Sequence, residues 1–290
     1  MNIRRMVNAG SWYPRNENDL VQMLQEFMKD KEFGPGKEFK TKGLPERKII
    51  GGVSPHAGMY YSGACAICTY LTLFEEKIPD TVIVIGFDHR NYFPDCLLEE
   101  GEWETPLGNL KIDSELAKSI LDDCKSLVAK SSAFIGSSEN SLELQMPIIK
   151  YFAGDNDVKI VPIKISSHEY PVLEKIADEL TALIQKVNKD IVIVASSDLY
   201  HEHVYNEQEL LKFKKKDENV INNFINLRAH DIFDLGMRAT VCGRHTITLV
   251  LLIGTKLGAK EGYCLKHYTS TERTKEFGYC VGYFSGVITK

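Results

Sequence analysis

Three histidines follow closely on three apolar runs, and imidazoles placed that way are the first candidates for chemistry in this chain. Lys48-Ile49-Ile50-Gly51-Gly52-Val53 leads into Ser54-Pro55-His56-Ala57-Gly58. Thr81-Val82-Ile83-Val84-Ile85 leads into Gly86-Phe87-Asp88-His89-Arg90, and Ile191-Val192-Ile193-Val194-Ala195 into Ser196-Ser197-Asp198-Leu199-Tyr200-His201. Imidazole is the commonest metal ligand and the side chain best suited to moving protons near neutral pH. His56 has small neighbours that leave its ring open to a ligand. Asp198 precedes His201 by three residues, which puts both groups on one side if the chain bends helically there. The two read as a general acid–base pair. Cys242, in Thr240-Val241-Cys242-Gly243-Arg244-His245, lies at or near the first turn of an apolar helix. Unpaired amides and the helix dipole favour a thiolate at such a place. A thiolate with two neutral imidazoles makes a three-ligand site with room for water or substrate. Sulfur in place of the carboxylate of the two-histidine iron set shifts preference toward copper, iron or zinc without choosing among them.

Each of the three runs is too short for a helix and reads as a strand buried on both faces. Open α/β sheets bind ligands just beyond the carboxyl ends of such strands, so one rim is expected to carry several imidazoles. Around them, Asn18-Asp19 starts a helix with Leu20, Met23, Leu24 and Phe27 inward. Ser62 begins a helix rich in small residues that holds Cys65 and Cys68. Their C-x-x-C spacing suits a redox dithiol elsewhere, but among alanines and glycine close packing on the sheet is the expected use. Leu97 to Thr105 reads as a hairpin or edge strand pair. Helices are expected over Asp113–Cys124, Tyr170–Val187 and Glu207–Asn226. Another opens at Ser138 or Glu139, with Pro147 kinking it or marking an early turn. Val158–Ile165, Tyr263–Ser270 and Tyr279–Val287 complete the strands. Alternating strands and helices without an internal break imply a single α/β domain over 1–290, a central mixed sheet flanked by helices.

A hydrophobic share of 43% is ample for a large core. The net charge of -5 argues against a general nucleic-acid binder; Lys212, Lys214, Lys215 and Lys216 read as a solvated helix face. No run is long and apolar enough to span a bilayer. Seven scattered cysteines with no secretory signal at the start point to reduced thiols and a cytoplasmic setting. Glycine-rich phosphate loops and the G-x-S-x-G elbow are missing. Trp12 and Tyr13 are expected to pack under the domain or wall a cleft. If that cleft takes an anionic peptide or small ligand, Trp12, Tyr60 and Arg244 are its aromatic and cationic contacts.

Taken together, several segments resemble the Memo family, nearly end to end and in the expected order. They are Ser54-Pro55-His56-Ala57-Gly58-Met59-Tyr60-Tyr61-Ser62-Gly63, Trp103-Glu104-Thr105-Pro106-Leu107-Gly108, Ser196 to His201 and Thr240 to His245. Ala9 to Tyr13 and Tyr279 to Tyr283 fit as well. The resemblance implies a fold like that of class III extradiol dioxygenases, the non-haem iron enzymes that open catechol rings. It also implies a retained metal pocket in which cysteine replaces the ligand glutamate. Its ligands would be His56, His89 and Cys242, with Asp198 and His201 beside them. The implied activity is that of a copper- or iron-dependent redox protein. A second implication, from animal relatives in motility signalling below a receptor tyrosine kinase, is a binding module for phosphotyrosine peptides or a signalling protein. Zinc-dependent hydrolysis with the same ligands is a third reading. Asp88 and Arg90 depart from the family's usual Pro-Asn/Ser-His-His and alter the pocket's charge. Asn140 stands where the family usually has an imidazole, and Tyr200 is expected to narrow the entrance.

Overall fold

Apolar runs too short for helices pair side by side, as their two-faced burial requires. The computed structural model describes residues 2–90, 92–236 and 239–290. Strands Ile49–Ser54, Ile191–Ser196, Thr81–Phe87 and Lys159–Ile165 lie next to one another in that order, all parallel. Parallel strands share one carboxyl edge, so residues that follow them emerge together. Beyond Ile49–Ser54 the sheet continues antiparallel through Gly278–Thr289, which also pairs His201–Val204 and Glu261–Thr269. The sheet is therefore mixed. Successive side chains alternate between its faces: Ile83 and Ile85 join the core under helices Tyr170–Lys186 and Arg244–Lys256, whereas Val82 and Val84 join the core under Glu17–Lys29 and Met59–Glu76.

Most expected elements appear within a residue or two of their bounds, and the departures have local causes. The small-residue helix starts at Met59, ahead of Ser62. Its extra turn is closed by the Met59 amide on the Trp12 carbonyl and by Ser62 Oγ on the Ala57 carbonyl. The stretch expected as one hairpin is divided between two sheets. Cys96–Leu97 pairs with Lys159–Ile165 in the large one, while Glu102–Trp103 pairs with Leu110–Lys111 and Ile3–Arg4 in a small one. Gly101 makes the change of direction at φ +111°, and a Cβ there would meet the Asn2 carbonyl oxygen at 2.1 Å. Pro147 opens a new helix, Met146–Ala153, after the short Asn140–Glu143. Cys65 and Cys68 are buried in packing, and burial pushes the Cys68 thiol up to about 12. Tyr200, expected to narrow the entrance, is buried in the core. Among the described residues no helix is long and apolar enough to cross a membrane.

Candidate metal centre

His56 emerges two residues after its strand and is buried; His89 emerges two residues after its own and is exposed. Cys242 comes from a third direction, just ahead of helix Arg244–Lys256. Gly243 seats that helix end against the sheet: its amide donates to Ser197 Oγ at 3.0 Å, and Thr246 Oγ1 donates to the Ser196 carbonyl at 3.2 Å. The Cys242 sulfur is then 3.2 Å from His56 Nε2, and the ring centroids of His56 and His89 are 5.4 Å apart. One potential ligand atom from each of the three lies within 4.8 Å of the others. Metal–sulfur and metal–nitrogen bonds of about 2.3 and 2.0 Å at a tetrahedral angle separate their donors by roughly 3.5 Å. The donor set fits a first-row transition ion of the thiolate- and imidazole-binding kind.

Hydrogen bonds from neighbouring segments set the rings for that role. Ser196 Oγ donates to the Ser141 carbonyl and accepts from Gln145 Nε2 at 3.0 Å. Its remaining lone pair faces His56 Nδ1 at 2.9 Å, so that nitrogen carries a proton and Nε2, toward the sulfur, is the ring atom available to an ion. Glu139 does the same for His89, accepting from Nδ1 at 2.8 Å and from the His89 amide at 3.1 Å. A carboxylate behind a histidine fixes its tautomer and raises its basicity. Burial opposes charge on all of these groups, yet their mutual attraction prevails. Cys242 is drawn down to about 5 by the two imidazoles, His89 is raised to about 10 by Cys242 and Glu139, and Glu139 is lowered to about 2 by His89.

Asp198 and His201 stand beside this group. Asp198 Oδ1 accepts from the His56 amide at 2.8 Å and Oδ2 lies 4.0 Å from His201 Nε2. The expected helical bend is not how they meet: His201 opens the strand His201–Val204. Its Nδ1 donates to the Thr240 carbonyl at 2.9 Å, which leaves Nε2 as the basic nitrogen. Asp198, His201 and Cys242 form a second group of donors sharing the same sulfur.

The expected ligand contacts are less gathered. Trp12 and Tyr60 are exposed beside each other's segments, joined by the Met59 amide on the Trp12 carbonyl. Tyr13 is the residue of that segment that packs inward. Arg244 donates from Nη1 to the Gly236 carbonyl and from Nε to His245 Nε2. Asp88 does not reach the His89 ring; it accepts from the Arg90, Tyr92 and Phe93 amides and shapes the loop. Asn140 Nδ2 donates to the His56 carbonyl at 3.1 Å, so this departure lies against the site. Glu139, Ser196 and Gln145 were not singled out from sequence. Only Glu139 carried a signal, as a carboxylate opening the segment in which the family usually has an imidazole.

Known proteins bear on this geometry. The profile of Memo-like proteins matches residues 4–287. The chain belongs to the Memo family. Similar members include MEMO1 family proteins of Desulfurococcus amylolyticus (32% identical, covering 98% of each chain), Saccharolobus solfataricus (34%, 96% of each) and Methanococcus vannielii (32%, 99% of each). Among solved structures, an uncharacterized protein of Escherichia coli K12 aligns with a TM-score of 0.50 at 12% identity, over 78% of this chain and 92% of that one. That likeness concerns the fold alone. In this Memo-family chain the donors come from separate segments that share only the sheet edge.

Proposed function

We propose that His56, His89 and Cys242 hold a copper or iron ion and that the protein is a metal-dependent redox protein acting with dioxygen. One observation carries this reading: two imidazole nitrogens, each on a ring whose other N–H donates to a neighbouring oxygen, converge with an acidified sulfur within 4.8 Å. An ion of either metal would supply one-electron exchange, which the side chains cannot. His56 is buried while His89 is exposed, so the cluster keeps a side open to small molecules. Asp198 is held by backbone amides and faces the basic nitrogen of His201, which supports proton transfer to or from a ligand at that side. The sulfur favours copper or iron over the hard cations that prefer oxygen.

The test is elemental analysis of protein purified without added metal, followed by oxygen uptake with and without Cys242→Ser. Copper or iron near one equivalent, lost with oxygen uptake in the variant, is the expected result. Zinc alone, with no oxygen uptake after copper or iron is supplied, sinks the redox reading and leaves hydrolysis. Equal metal content in the two proteins disposes of the ligand set.

A further inference from the structure

A cleft of about 440 Å³ opens beside the candidate centre and has no part in holding the ion. Its walls carry Tyr61, Phe277, Tyr279 and Tyr283, together with Ala57, which follows His56 in the chain. Glu276 is the one charged residue lining it among the described residues, and it is exposed at the rim. The rings are braced by other aromatic groups. Tyr61 packs edge-on against Tyr60 at 5.1 Å, Tyr279 against His203 at 5.3 Å, and Tyr283 against Tyr268 at 5.5 Å.

Aromatic faces carry partial negative charge and attract cations, and a carboxylate at the rim adds to that potential. The cleft's size is that of a small-molecule site. The cations nearest in sequence are turned elsewhere. Arg273 lies over Phe33 and Tyr60 and is paired with Asp30, while Lys275 lies over Phe33 near Glu32. Arg273 also shows that aromatic rings of this surface already hold a positive group. No lysine, arginine or histidine lines the cleft among the described residues, so an anion there would meet no opposite charge. We propose that this cleft binds an organic cation, an alkylated ammonium group held among the exposed rings of Tyr61, Phe277 and Tyr279, with buried Tyr283 behind them and Glu276 at the rim. A cation here would lie against Ala57, the residue that follows His56 in the chain.

Nothing in this cage requires the ion, so the cleft can be tested on metal-free protein, where failure of the metal reading has no effect. Calorimetric titrations compare choline with 3,3-dimethyl-1-butanol, which has the same shape without the charge, and with phosphotyrosine. Choline is expected to bind at least about tenfold more tightly than the alcohol, as the charge term of a cation held by several rings implies. Tyr279→Leu and Glu276→Gln, both at exposed positions, should each weaken choline several-fold while the far-ultraviolet circular dichroism stays that of the parent. Cys242→Ser should bind choline as the parent does. Equal affinity for choline and the alcohol overturns the proposal, as does tighter binding of phosphotyrosine or no choline binding at millimolar concentration.

Discussion

A sulfur 3.2 Å from one imidazole and close to a second ionises far more easily than a thiol in apolar packing. Burial pushes Cys68, Cys96 and Cys124 up to about 12, and Cys65, Cys264 and Cys280 are raised as well. Iodoacetamide at pH 7 should therefore label metal-free protein first at Cys242, with a rate that rises through about pH 5. Peptide mass spectrometry reads this directly, and first labelling at the exposed Cys264 would count against it. The same shift has a stability sign. The folded value lies below the roughly 8.5 of an unfolded thiol, so the thiolate's contribution is complete above that value and is lost as pH falls through about 5. His89 runs the other way. Its folded value of about 10 exceeds the roughly 6.5 of an unfolded imidazole, so its contribution is present at low pH and lost as pH rises through about 10. Glu139 bears on the ion more than on the fold. Glu139→Gln keeps the shape but removes the carboxylate behind His89, and metal affinity should fall roughly 10–100-fold. A competition titration with a chromophoric chelator measures this; an unchanged affinity would show that His89 needs no such partner.

At the scale of elements, the site depends on how closely helix Arg244–Lys256 approaches the strand end at Ser196-Ser197. A Cβ on Gly243 would lie 2.6 Å from Ser197 Cβ and 2.7 Å from the Ser196 carbonyl oxygen, neither of which can swing away. Gly243→Ala should cost about 1–3 kcal/mol, the range for overfilled packing, and should lower metal content by shifting the neighbouring Cys242. Denaturant unfolding with metal analysis tests both; wild-type stability and full metal content together would refute the close-approach account. This contact also marks the limit of what the sequence could disclose. The three apolar runs ending near histidines were legible because burial on both faces leaves a plain signature, and parallel pairing then places their ends on one edge. Cys242 was legible as the head of an apolar helix. Glu139 carried a signal as the residue opening its segment, but its role did not, because a capping carboxylate has no periodicity and its partner is 50 residues away. The strand that begins at His201 was missed for a similar reason: His201-Glu202-His203-Val204 has one buried apolar residue, and pairing with Gly278–Thr289 defines it. The two-residue strands around Gly101 owe their sheets to long-range partners that local pattern cannot name.

Across the whole molecule, the start of the chain is tied to the segment behind the metal centre through one buried carboxylate. Glu143, on the same short helix that Glu139 caps, accepts from Arg4 Nη2 at 2.7 Å, from the Asn8 amide at 2.7 Å and side chain at 3.0 Å, and from Tyr13 Oη at 2.9 Å. Both partners of the Arg4–Glu143 pair are fully enclosed, at 1% and 0% exposure, so neither charge can turn to water if the other is lost. Arg4 also lies over the Trp103 ring of its own sheet at 4.9 Å and donates to the Ser137 carbonyl, which fastens the small sheet to the loop ahead of helix Asn140–Glu143. If residues 1–290 act as a single domain, this network should make unfolding one event. Arg4→Met, which keeps the apolar stem, is expected to cost about 3–5 kcal/mol, because an unpaired carboxylate remains buried. Adding Glu143→Gln should recover part of that loss, since the stranded charge is gone. Circular dichroism and the fluorescence of Trp103 and Trp12 should follow a single transition in the parent and in both variants. Separate transitions for the two probes, or an Arg4→Met protein within about 0.5 kcal/mol of the parent, would mean that the lead-in segment folds apart from the sheet that carries the site.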